Sequence, residues 1–119
     1  MLKGEMLEKK KEVAHMLAEC VMACNHCFSS CLEEEDVKMM KECIRLDKEC
    51  AEVCSFTILM LHKSRFVNEY LESCIKVCEA CALECGKHDN EHCKHCAEVC
   101  KKCVETCRDF KQMFHSQSM

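Results

Sequence analysis

The stretch CIKVCEACALEC, Cys74 to Cys85, sets four thiols at steps of four, three and four residues. On a helix of 3.6 residues per turn that spacing draws one stripe along one side, the stripe that a leucine seam fills when helices pack side by side. The pattern returns along the chain. A first segment carries Cys20, Cys24, Cys27 and Cys31, and a second carries Cys43, Cys50 and Cys54, with Asp47 standing where another thiol would fall. The last segment carries Cys93, Cys96, Cys100, Cys103 and Cys107.

Four sets predict four helices. The chain holds no proline and two glycines, is rich in Glu, Lys, Leu, Met and Ala, and lacks strand or hairpin signals. The acidic run Glu33 to Asp36 suits the first turn of a second helix. Ser64 reads as an N-cap, Gly86 as a C-terminal stop, and Asp89 or Asn90 as the next cap. Helices are expected over roughly residues 5–32, 36–62, 66–85 and 90–114, with ends good to about 2–4 residues. Their short connections make neighbours antiparallel, giving an all-α, up-down-up-down four-helix bundle, a single domain spanning residues 1–119.

Extending the register shows what else the seams hold. Val13, Leu17, Leu61, Val67, Leu71, Phe110 and Phe114 gather at one end as an apolar plug, while the thiols line the middle and the other end. Ordinary core residues sit beside the seams: Val21, Phe28, Ile44, Leu46, Val53, Ile58, Ile75, Val77, Val99 and Val104. Each aliphatic side chain well buried there is worth roughly 1.5–3 kcal/mol, so the bundle is expected to fold without metal.

Composition narrows the function. Hydrophobic residues make up 49% of the chain, but that class includes 16 Cys and 9 Met, so sulfur must fill much of the interior. A net charge of −4 argues against a nucleic-acid or anionic-membrane partner. No apolar run has the length of a membrane span, and MLKGEMLEKKKEV lacks the features of an export signal. A cytosolic chain is expected, and there thiols stay reduced and point to metal.

A lone buried cysteine behaves as a small hydrophobe. Sixteen in one register form a loosely packed seam, whose empty volume costs stability unless something fills it. Disulfides along a helix fail on geometry: β-carbons four residues apart lie about 5–6 Å from each other, against about 3.8 Å in a disulfide. Two metal–sulfur bonds of about 2.3 Å span roughly 4.6 Å, which suits the helical pair. CxxxC pairs occur at Cys20/Cys24, Cys27/Cys31, Cys50/Cys54, Cys74/Cys78, Cys81/Cys85, Cys96/Cys100 and Cys103/Cys107, leaving Cys43 and Cys93 to pair across helices.

An all-thiolate lining selects Cu(I), zinc or iron–sulfur clusters. Structural zinc favours isolated tetrahedral knuckles, whereas the CxxC steps here lie inside longer helical runs and none is followed by His, which also removes c-type haem. Charge favours a monovalent ion. Replacing a thiol proton by Cu(I) leaves the interior's charge unchanged, while Zn²⁺ on four thiolates leaves two negative charges in a low-dielectric tube. Many Cu(I) ions per chain are expected, on the order of one per cysteine if most sulfurs bridge.

With CxxxC repeated on all four seams over residues 13–110, the chain resembles the bacterial copper storage proteins, and the missing export signal resembles their cytosolic branch. That resemblance implies a four-helix bundle holding many Cu(I) ions along its core, assembly as a homotetramer, and entry of ions at a polar end bearing His or Met. Asp47 departs from the family pattern at one local site.

This sequence places Met39, Met40, His88, His92 and His95 at the end opposite the plug. Met40 falls on the seam and His92 lies one turn before Cys96, so both are candidate ligands that pass an ion inward. His26 stands one residue off the seam, as a surface or interface residue. Met16, Met22 and Met60 read as core or interface filler, and His15 and His62 as bystanders at the plugged end. Expected partners are copper ions, further copies of the chain, and a copper chaperone or exporter.

Three rivals remain in view. A di-metal oxidase would need two Glu-x-x-His motifs, and only Glu12 to His15 supplies one, so no enzyme is expected. A thiol-redox or metal-sensing protein would want one or two exposed, acidified thiols. A zinc or cadmium thiolate buffer is the stronger alternative.

Overall fold

The computed structural model describes residues 3–118, with side chains described from residue 4 to residue 113. Four helices carry the chain: α1 Lys3–Leu32, α2 Lys41–Met60, α3 Val67–Cys85 and α4 Glu91–Ser118. Each packs on its two neighbours in the order α1, α2, α3, α4, with α1 facing α3 and α2 facing α4 across the core. Short connections make neighbours run oppositely, so the rods form a bundle 52 Å long and about 20 Å across.

Between α1 and α2 the structure departs from expectation. The acidic run Glu33 to Asp36 is not helical; it forms a turn, and a 3₁₀ turn at Val37–Met40 delivers the chain to α2. Four adjacent carboxylates gain nothing from sharing one helical turn, where like charges three and four apart repel. The tighter 3₁₀ turn, with Met39 N–H donating to the Asp36 carbonyl at 3.2 Å, brings Met40 down onto the seam, where it is buried.

The other connections also differ in detail. Phe66 holds the N-cap position of α3, without a capping side chain. Ser64 stands two residues earlier, and its hydroxyl oxygen accepts from Phe66 N–H at 2.9 Å. Gly86 does end α3, but in right-handed conformation. Its value is room: a β-carbon there would lie 3.0 Å from the Ala82 carbonyl oxygen, which accepts Gly86 N–H at 2.9 Å. Before α4, the Asn90 carbonyl accepts from Lys94 N–H at 3.0 Å.

Val13, Leu17, Leu61, Val67, Leu71 and Phe110 are all buried and form the apolar plug. Phe114, assigned to the same plug, lies outside the described side chains. The flanks divide. Ile75, Val77, Val99 and Val104 on α3 and α4 are buried, whereas Val21, Phe28, Ile44, Leu46, Val53 and Ile58 on α1 and α2 are half-buried. Alanines do part of this work: Ala23, Ala51, Ala82 and Ala97 are buried beside the seams, small enough to let the rods approach.

Candidate metal centre

Because each helix turns its stripe toward a common axis, all sixteen cysteines are buried, and none is bridged to another. Sulfurs meet across helices more often than along them. Cys20 Sγ lies 3.9 Å from Cys50 and Cys78 and 3.8 Å from Cys100, so one thiol of α1 touches the other three helices. Cys54 stands 3.7 Å from Cys78 and 3.6 Å from Cys74, and Cys24 stands 3.7 Å from Cys96 and 3.8 Å from Cys100.

These contacts resolve into overlapping groups of ligand atoms, each within 4.8 Å of its fellows: Cys20, Cys24, Cys50 and Cys100; Cys20, Cys54, Cys78 and Cys103; Cys24, Cys81, Cys96 and Cys100. Toward the open end follow Cys27, Cys31, His92 and Cys93, and Cys27, Cys31, Cys43 and Asp47. Sulfurs shared between groups suit metal–thiolate clusters with bridging sulfur. Isolated tetrahedral ions would each require four ligands of their own. Cys107 is buried at the plugged end of the row.

Two polar residues interrupt the sulfur lining. Asp47 is completely buried. Its Oδ1 accepts from the thiols of Cys81 at 3.3 Å, Cys85 at 3.4 Å and Cys96 at 3.5 Å, and Cys43 approaches Oδ2 at 3.7 Å. Burial, and then the neighbouring sulfurs of Cys96 and Cys81, push its carboxyl up to about 10. The second is Thr57, buried on the stripe by the steps Cys54, Thr57, Leu61 and absent from the residues expected there. Its hydroxyl donates to the Val53 carbonyl at 2.8 Å and accepts from Cys74 at 3.3 Å, so the α2 thiols end there and the plug begins.

At the opposite end the candidate residues sort themselves. His92, on the first turn of α4, turns Nδ1 into the sulfurs, 3.5 Å from Cys27, 3.5 Å from Cys93 and 3.9 Å from Cys31. Its Nε2 points outward to Glu34 Oε2 at 2.9 Å. The His92 hydrogen bond holds the Glu34 carboxyl below the usual carboxylate range. His88, half-buried, meets Glu84 at 3.1 Å through Nε2. Met39, Met40 and His88 line a cleft of about 610 Å³ whose rim is Glu33 to Asp36 with Lys87, Asp89 and Asn90.

His95 is exposed on the outer face of α4 and takes no part in this mouth. His15, His26 and His62 are exposed. Met16 and Met60 are half-buried, whereas Met22 is 65% exposed and fills no space within one chain.

Just inside the mouth, Cys43 and Cys85 bring their sulfurs to 3.1 Å. Hydrogen bonds from Cys27 and then Cys85 hold the Cys43 thiol far below its ordinary range. Burial pushes Cys93 up to about 12, with Cys43 adding to the rise, and raises Cys31 in the same way. Hydrogen bonding from its neighbours thus favours the ionised form at Cys43 over Cys31 and Cys93, and a thiolate is the form that binds a soft cation.

Comparison with known proteins points the same way. A family model described as copper storage protein matches residues 6–112. The Cu(I)-bound copper storage protein BsCsp3 of Bacillus subtilis is 41% identical, with a TM-score of 0.83 over 87% of this chain and 98% of that one. A cytosolic copper storage protein from Streptomyces lividans carrying five coppers is 33% identical, with a TM-score of 0.88 over 92% of this chain and 97% of its own. The uncharacterized cysteine-rich protein YhjQ of Bacillus subtilis strain 168 is 48% identical over 75 residues, 62% of this chain and 69% of that protein.

Proposed function

The chain belongs to the copper storage protein family, and from that premise we propose that its core is a reservoir for many Cu(I) ions held by thiolate sulfur. The observation that carries the reading is the overlap of the sulfur groups: Cys20, Cys24 and Cys100 each belong to two of them, so neighbouring ions share ligands. Each Cu(I) displaces one thiol proton, so the column fills without accumulating charge in a dry interior. The all-sulfur donor set is the one that soft Cu(I) prefers.

The proposed ligands are all sixteen cysteines, with His92 Nδ1 serving the group nearest the mouth and Met40 offering its thioether where ions enter. Asp47, kept protonated by its surroundings in the empty protein, marks the passage from the entrance group to the inner ones. The chain acts as one domain with no catalytic residue, its role being capacity. A cytoplasmic location agrees with reduced thiols and with the related Streptomyces lividans protein. No described helix is long and apolar enough to cross a membrane. Assembly into a homotetramer, and exchange of copper with a chaperone or exporter at the acidic mouth, complete the proposal.

Anaerobic titration with Cu(I) against a chromophoric chelator, with Zn²⁺ run in parallel, tests it. Saturation on the order of one Cu(I) per cysteine is expected. Saturation at a few ions per chain would overturn the storage reading, and tighter retention of zinc would replace it with a zinc or cadmium buffer.

A further inference from the structure

His92 has two ring nitrogens and only one of them can serve a metal. Nδ1 sits among the sulfurs of Cys27, Cys31 and Cys93, and Nε2 reaches out to Glu34. A neutral imidazole carries one N–H and one lone pair, and their placement decides whether the ring offers the cluster a ligand or a blocked face. We propose that Glu34 is the positioning residue for His92: its carboxylate accepts the Nε2–H and so leaves the Nδ1 lone pair aimed at the sulfur group. The assignment rests on the copper-storage reading for its purpose, but the hydrogen-bond logic is independent of it.

The carboxylate reaches this place because of the turn after α1. Glu34 follows Cys31 by three residues, continuing the step of the α1 stripe past the last helical residue, and its N–H donates to the Cys31 carbonyl at 3.2 Å. That bond ties the backbone of residue 34 to a cysteine in the same group as His92. An ionised carboxylate has acceptor oxygens and no proton to give, so across 2.9 Å the proton must lie on Nε2. The His92 side chain is 12% exposed, so water supplies few alternative partners. Contacts of this kind behind metal-binding histidines fix the ring and raise its basicity.

The experiment compares wild type, Glu34→Ala and Glu34→Gln. Nitrogen-15 NMR of the histidine ring in the reduced, copper-free protein reads the tautomer, and stopped-flow uptake with chelator competition reads binding of the first Cu(I) ions. The wild type should hold the Nε2–H tautomer. Glu34→Ala should lose that preference and bind the first ions about tenfold to a hundredfold more weakly, with total capacity unchanged. Glu34→Gln, which keeps an oxygen acceptor in reach, should restore both. An Nδ1–H ring in the wild type, or an unaltered tautomer in Glu34→Ala, would overturn the assignment whatever the copper results. If the wild type failed to accumulate copper while its tautomer followed Glu34, the storage reading would fall and the positioning role would stand.

Discussion

The sulfurs of Cys43 on α2 and Cys85 on α3 lie 3.1 Å apart, closer than neighbours such as Cys50 and Cys78 at 3.5 Å or Cys31 and Cys93 at 4.0 Å. Neither belongs to a CxxxC step with the other; the contact exists because two antiparallel helices bring these turns to the same level. Hydrogen bonds from Cys27 and then Cys85 lower the Cys43 thiol, and the short contact sets a second sulfur within reach of it.

Hydrogen peroxide should therefore link this pair before others. The Cys43 thiolate takes one oxygen from peroxide and releases hydroxide, and Cys85 then condenses with the sulfenic acid, losing water and closing the disulfide. Peptide mapping of copper-free protein after one equivalent of peroxide should show Cys43–Cys85 as the first bridge. A helical pair such as Cys81–Cys85 appearing first would contradict this, since i,i+4 geometry opposes a disulfide.

Asp47 predicts how stability depends on pH in the empty protein. Its carboxyl is raised to about 10 in the fold against 3.8 when unperturbed, so the folded state holds the proton more tightly than the unfolded one. That contribution is fully present below about pH 4 and is lost as pH climbs toward the folded value, with a slope of up to about 1.4 kcal/mol per pH unit. Asp47→Asn has no proton to lose. Denaturant unfolding from about pH 4 to about pH 7, below the range where most unfolded thiols ionise, should show the variant gaining stability relative to wild type as pH rises, because every other titrating group is common to both. Parallel curves would refute the buried acid.

Plug and column should separate in mutation. Leu17 is fully buried at the apolar end, so Leu17→Ala should cost about 2–5 kcal/mol of apo stability while copper capacity stays unchanged. Unfolding curves paired with Cu(I) titration measure both quantities on one sample.

The converse holds for Cys81→Ser with Cys85→Ser. Both side chains remain small and polar beside Asp47, so circular dichroism should stay near wild type while Cu(I) capacity falls by about two ions if most sulfurs bridge. Loss of helix content without copper would count against a bundle held by its flanks and plug.

A related variant tests the inner boundary. Thr57 ends the α2 thiols while touching Cys74 at 3.3 Å, so Thr57→Cys should add a ligand and raise saturation by about one ion. No gain would place the limit in the volume above the plug.

Much of this architecture was legible in the residues alone. Steps of three and four settle which face of a helix turns inward, because 3.6 residues per turn leaves no other common stripe, and so the buried cysteines and the plug of Leu17, Leu61 and Leu71 could be assigned in advance. The same rule would have found Thr57, whose hydroxyl drew less notice than a thiol. The acidic run was misplaced for a different reason: carboxylates at Glu33 to Asp36 suit a helix start and an exposed turn alike, and periodicity does not separate the two because Met40 falls on the stripe in either case.

Periodicity determined the direction each side chain takes from its own helix axis, and with it a sulfur-lined interior. It carried no information on how far one helix is shifted along its neighbour, because that shift is set by the connections and by packing between different rods. Only the tertiary structure could place Cys43 against Cys85, gather four thiols around Asp47, and bring Cys27 and Cys31 to the inward face of His92 that its step to Cys96 had already given, with Glu34 behind the ring. Those contacts join residues far apart in the chain, and their chemistry depends on distances that exist only once all four helices have closed on one another.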